Sequence, residues 1–240
     1  MAEVSQAQCR QVVQAERWEW LNKTRDHGVK GGVLRSARDL EKFKVTGVEG
    51  AHCGRIKDVY FDDASWKITH LVLSIEPRQF GNKQVLIHPD QIACIWNEEG
   101  IISLGLKAEE IEALPLASTA LPVCKQYAQL AFASPGARLF ANGVVGSDPH
   151  LRSARAVTNY RINVAGEFGG TLESLVFDDE SWEFRYLGVE QIIERKKMRF
   201  FVLPQSVERF TWATQRVVLR DLQPVRLESG TKPAAVLSAA

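Results

Sequence analysis

No stretch of this chain is long and apolar enough to cross a membrane as a helix, which takes about 20 uninterrupted apolar residues. The most apolar region, Leu114 to Val145, is broken by Pro115, Pro122, Lys125, Pro135 and Arg138. A surplus of charge is also missing, since 30 Lys and Arg stand against 29 Asp and Glu for a net charge of +1. A protein built to grip a phosphate backbone concentrates basic residues on one domain, so nucleic acid is not the favoured partner. The N-terminus, Met1-Ala2-Glu3-Val4, leads into polar residues without the apolar core of a signal peptide. A soluble, cytoplasmic protein without a transmembrane segment is expected.

Chemical motifs are equally scarce. The four cysteines, Cys9, Cys53, Cys94 and Cys124, form no C-x-x-C pair, which points to reduced, structural thiols. The five histidines, His27, His52, His70, His88 and His150, show no metal-ligand spacing. Gly31-Gly32 and Gly169-Gly170 lack the flanking pattern of a phosphate-binding loop. No catalytic residue, cofactor-binding residue or metal ligand is nominated, no cofactor is expected, and the chain is read as a non-enzyme.

What is present is present twice. Leu34-Arg35-Ser36-Ala37-Arg38 returns as Leu151-Arg152-Ser153-Ala154-Arg155, and Phe61-Asp62-Asp63-Ala64-Ser65-Trp66 returns as Phe177-Asp178-Asp179-Glu180-Ser181-Trp182. The two offsets differ by one residue, so one unit of roughly 80 residues is duplicated. A site essential to each unit should therefore appear in both. With 45% apolar and 25% charged residues, the chain has the profile of two ordinary small domains.

Within each repeat the periodicity is that of strands. Val48 to Phe61 is rich in Gly and β-branched residues, and Asp62-Asp63-Ala64-Ser65 reads as a turn. A half-buried strand is expected over Trp66 to Leu73, matched by the alternation of Trp182, Phe184 and Tyr186. Gly81-Asn82 marks the next turn, followed by Val85 to Pro89, matched by Phe200 to Pro204. Ile101 to Leu104, matched by Arg216 to Leu219, supplies a further strand. Many short strands with close turns argue for small closed antiparallel barrels. Lys107 to Leu114 reads as a short helix stopped by Pro115, and Ser5 to His27 as a leader helix. Trp18 and Trp20 suit that leader either to packing on its own barrel or to docking on a partner. One or two helical turns are expected around Gln126 to Phe132.

These paired motifs resemble the PRC-barrel family, named from the cytoplasmic domain of the photosynthetic reaction-centre H subunit. The resemblance rests on Leu34 to Asp39, Gly54 to Val59, Phe61-Asp62-Asp63, Trp66 and His70 to Leu73. It rests equally on Asp148 to Arg155, Gly169-Gly170, Phe177-Asp178-Asp179, Trp182 and Arg185 to Val189. It implies a mainly β fold of two small antiparallel PRC-type barrels in tandem, with an N-terminal helix and an irregular or helical linker. The boundaries read 1–33 helical leader, 34–115 first barrel, 116–150 linker, 151–229 second barrel and 230–240 flexible tail. Gly188 departs from the family pattern, standing where a β-branched residue is expected.

The resemblance implies a protein-binding adaptor docking on a larger assembly. Two alternatives stand beside it: an RNA-processing or ribosome-associated factor, and a peripheral cytoplasmic component of a membrane electron-transfer complex. The partner is expected to be protein, with a homodimer also compatible. Asp62-Asp63 and Asp178-Asp179 are the only carboxylate pairs in both copies, and a turn accounts for them more simply than a cation site or acid–base chemistry. The dense basic run Arg195, Lys196, Lys197, Met198, Arg199 reads as a solvated hairpin loop, with an anionic partner as the alternative.

Overall fold

The computed structural model describes residues 32–76, 83–96, 99–133, 148–193, 195–221 and 225. The expected leader helix over 5–27, the Gly81-Asn82 turn and the tail beyond Ser229 lie outside the described residues.

The first repeat runs β1 (Leu34–Ser36), α1 (Ala37–Leu40), β2 (Lys44–Thr46), β3 (His52–Asp62), β4 (Ile68–Ile75), β5 (Gln84–Ile87), β6 (Ile92–Trp96), β7 (Ile101–Leu104) and α2 (Ala108–Glu112). A longer helix, α3 (Val123–Ala133), follows. The second repeat runs β8 (Leu151–Ser153), α4 (Ala154–Val157), β9 (Arg161–Val164), β10 (Glu167–Asp178), β11 (Glu183–Ile193), β12 (Lys196–Val202), β13 (Val207–Thr211) and β14 (Arg216–Leu219).

Two sheets result, with the same strand order: β5-β4-β3-β2-β7-β6 and β12-β11-β10-β9-β14-β13. The expected mainly β, tandem-barrel fold is therefore what forms. Most pairs are antiparallel, but β2 with β7 and β9 with β14 are parallel. The chain makes a full meander between those partners and returns in the same direction, which is the condition for parallel pairing.

Two glycines let the long strands bend. Gly54 has φ +149° and Gly170 φ +129°. A Cβ on Gly54 would sit 2.0 Å from the Ser74 carbonyl oxygen, and one on Gly170 would sit 2.8 Å from that of Glu190. Register slips beside each glycine, at Val45/Thr46 and Phe168/Gly170, are the bulges that curl a sheet on itself. Gly188 has a local cause too: a Cβ there would meet the Ser174 hydroxyl at 2.3 Å.

Alternation fills the interior. Leu71, Leu73 and Ile87 are fully buried, as are Leu187, Val189 and Val202 at the corresponding positions of the second repeat. Each such side chain contributes about 1.5–3 kcal/mol relative to exposure. Compactness does not follow the repeat boundaries. Among the described residues, one compact unit comprises 40–57 and 70–117, while the other gathers 33–39, 58–69 and those from 118 onward.

Several sequence expectations shift. Residues 48–49 form a turn, and the strand expected from Val48 begins at His52. Trp66 and Trp182 do not open their strands, because both adopt left-handed φ values of 61° and 56°. The helix expected around Gln126 to Phe132 starts earlier, at Val123. The basic run is no loop: Lys196 to Arg199 belong to β12 and only Arg195, at φ 64°, sits in the turn.

Candidate functional site

The two duplicated motifs find each other across the repeats. β1 of the first repeat pairs with β10 of the second, Leu34 opposite Asp178 and Ser36 opposite Val176. β8 of the second pairs with β3 of the first, Asp62 opposite Leu151 and Tyr60 opposite Ser153. Each repeat thus lends its opening strand to the other's hairpin. This exchanged joint lies wholly within the second compact unit.

Charge locks the exchange in both directions. The Arg35 Nε donates to the Asp179 carboxylate at 2.7 Å, and the Arg152 Nε to the Asp63 carboxylate at 2.6 Å. All four side chains are at most 18% exposed, so an unpaired partner would be costly. The Val33 N–H also donates to Asp179. In the other half, His150 lies 2.7 Å from Asp63. That hydrogen bond to the carboxylate holds the His150 imidazole above its ordinary value.

The first aspartate of each pair has a different task. Asp62 accepts from the Ala64 and Ser65 N–H groups and the Ser65 hydroxyl. Burial pushes its carboxyl up, but those hydrogen bonds outweigh burial and hold it below the ordinary range. Asp178 accepts from the Glu180 and Ser181 N–H groups in the same way. The turn reading of both Asp-Asp pairs therefore holds for the first aspartate, while the second is an ion-pair partner that sequence reasoning missed.

The left-handed tryptophans complete the joint. Their turns aim carbonyls across it, so that Phe184 N–H donates to Trp66 O and Ile68 N–H to Trp182 O. Left-handed backbone costs a non-glycine residue on the order of 1–2 kcal/mol. Stacking of Trp66 on Phe61 at 5.9 Å and of Trp182 on Phe177 at 5.4 Å offsets it. Phe61 also meets Phe184 and Phe210 edge-on.

One half-buried acid flanks this core without a counterpart in the other repeat. Asp58 accepts from the Ser153 hydroxyl at 2.6 Å and from the Arg155 N–H at 3.2 Å, which ties α4 to β3. Burial is the largest influence on its carboxyl and pushes it up despite those bonds and nearby Lys125. The duplicate position is Ser174. Lys125 itself donates to the Tyr60 hydroxyl at 2.8 Å.

The remaining sequence candidates stay apart. His70 and His88 meet edge-to-face at 6.1 Å. Burial and the neighbouring His88 hold His70 below its ordinary value. Its Nδ1 is buried with no partner among the described residues. No disulfide joins Cys53, Cys94 and Cys124, and burial raises the Cys53 and Cys124 thiols. Among the described residues no group of three His, Cys, Asp or Glu side chains gathers as metal ligands. No described helix is long and apolar enough to cross a membrane.

Among the described residues the β11–β12 hairpin stands out for its exposed apolar side chains. Its ladder runs from Leu187↔Val202 to Ile193↔Lys196; β4 and β5 pair from Leu71↔Ile87 to Ser74↔Gln84, and Ile75 N–H donates to Lys83 O. The hairpin carries exposed apolar side chains, with Ile192 66% and Met198 50% exposed. On one face Lys197 reaches Glu190 at 3.1 Å, and Arg199 reaches Glu173 at 2.9 Å and Glu190 at 3.4 Å. The Lys197 hydrogen bond holds the Glu190 carboxyl below its ordinary range.

Residues 33–103 match the PRC-barrel domain, so the chain carries a PRC-barrel domain over its first repeat. The second repeat lies outside that match and shares the strand order of the first. The domain suggests a protein-interaction module. No curated protein matches the chain.

Proposed function

We propose that this chain is a non-enzymatic protein-binding adaptor that docks on a larger assembly, with the β11–β12 hairpin as its contact. The exposure of Ile192 and Met198 on that hairpin supports this reading best. Met and Arg are enriched at protein interfaces, and Met198 and Arg199 both stand on β12. The polar groups duplicated between the repeats are consumed in structure: Arg35, Arg152, Asp63 and Asp179 in ion pairs, Asp62 and Asp178 in turns. That structural employment supports a binding role.

An RNA-associated role draws less support from the hairpin. Lys197 and Arg199 are already engaged by Glu190 and Glu173, and those carboxylates would stand beside any incoming phosphate. Cross-linking in native cells followed by capture of the chain tests the adaptor reading. The partner should cross-link at β11–β12, and an Ile192→Asp, Met198→Asp double variant should lose it while keeping its fold. Retention of the partner by that variant would sink the assignment of the hairpin.

A further inference from the structure

The contacts of the joint run from one repeat to the other. They include the strand pairs β1–β10 and β8–β3 and the ion pairs Arg35–Asp179 and Arg152–Asp63. Backbone bonds from Phe184 to Trp66 and from Ile68 to Trp182 join them, and Lys67 meets Glu183 at 3.6 Å. These contacts hold equally well when the two repeats belong to different chains. Only the stretch between the repeats, read as 116–150, ties them to one chain.

We propose that the joint also closes between two copies of this chain, each first repeat taking the second repeat of the other copy, to give a strand-exchanged dimer. The inference goes beyond the adaptor reading and does not depend on it.

The joint selects its own partner. Arg35 and Arg152 neutralise the Asp179 and Asp63 carboxylates, which are 18% and 11% exposed. A foreign strand without arginine at that register would leave such a carboxylate unpaired, which is costly. A second copy supplies both arginines and both carboxylates. Once one joint has formed between two copies, the remaining two repeats are tethered side by side. Closing on each other is then favoured over recruiting a third copy, so the assembly ends as a twofold dimer.

Monomer and dimer hold the same contacts, so the tether sets the balance. Closure within one chain corresponds to an effective concentration on the order of 1 mM. Exchange therefore populates at high protein concentration, and the monomer prevails on dilution.

The test uses full-length chains refolded together from urea. Arg35→Asp in one chain sets two carboxylates against each other, and Asp179→Arg in a second chain sets two guanidinium groups against each other. Exchange between those two chains matches both pairs. Their equimolar mixture should form a heterodimer at least about a thousandfold tighter than the wild-type dimer, while each variant alone stays monomeric or unfolded. Carbodiimide should then join Lys67 of one chain to Glu183 of the other, read by mass spectrometry as peptides of mixed isotope label. A mixture that stays monomeric or unfolded overturns the proposal when one chain carrying both substitutions folds. Where that chain does not fold, wild-type copies bearing two different tags decide. Refolded together at about 1 mM and diluted cold, they should be captured together and carry the Lys67–Glu183 link between chains. Separate capture, or a dimer without that link, overturns the proposal.

Discussion

The first hairpin is closed along its outer edge by residues 115–117, while among the described residues the second meets only Val225, at Phe201. Gln84 and Leu86 both find partners in residues 115–117, while beyond Phe201 the β12 edge meets nothing among the described residues. The same strand order therefore serves two ends. In the second copy the hairpin strand β12 carries cations and the exposed Met198. Duplication preserved what holds the repeats together and released the hairpin to change.

The sharpest way to break this comparison is at the joint, where the copies should behave alike. Phe61→Ala and Phe177→Ala each remove a fully buried ring and should each cost about 3–5 kcal/mol in urea unfolding. Phe61 should cost more, since it packs on Trp66, Phe184 and Phe210 while Phe177 packs on Trp182 and Phe184. A much smaller loss in either would show that the joint does not carry the fold.

Next come the two ion pairs. Arg35→Ala and Arg152→Ala should each cost about 2–4 kcal/mol by stranding a mostly buried carboxylate. Only Arg152→Ala should depend on pH near neutrality. His150, raised by Asp63, contributes fully below its ordinary value of about 6.5, and that contribution fades as pH rises through the raised folded value. Urea titrations at about pH 5.5 and pH 8.5 should therefore find Arg152→Ala closer to wild type in acid. Parallel behaviour of the two variants would remove His150 from the joint.

Hydrogen exchange reads the hairpin edges directly. The Leu86 and Ala117 amides, bonded to Pro115 and Gln84, should exchange at least about tenfold more slowly than those of Lys197 and Arg199. Equal protection would mean the second edge is also sealed. The smallest effect is expected at Asp58. Its raised carboxyl means stability falls as pH climbs from the ordinary carboxylate value through the folded one. Asp58→Asn should flatten that decline and change stability by no more than about 1 kcal/mol at neutral pH, closing the gap to Ser174.

Much of this was readable from residues alone, and the failures have physical causes. Duplication, strand periodicity and the Asp-Asp turns were legible because each leaves a local pattern. The exchanged strands were not, since Leu34-Arg35-Ser36 is too short for periodicity to register. A clue was available: an Arg motif and an Asp motif of opposite charge, each present twice, invite pairing. The basic run misled because charge suggested a loop. Its alternation of Lys197 and Arg199 with Met198 and Phe200 was a strand signal. Left-handed Trp66 and Trp182 could not be anticipated, because only neighbours beyond the turn make that backbone worthwhile.

Lending β1 and β8 across the joint changes the order of the assembly reaction. A half-length chain holding one repeat would have to meet a copy of itself to complete its hairpin, so its fold would depend on concentration. Joining the halves makes that encounter unimolecular, and the protein keeps its form at any dilution.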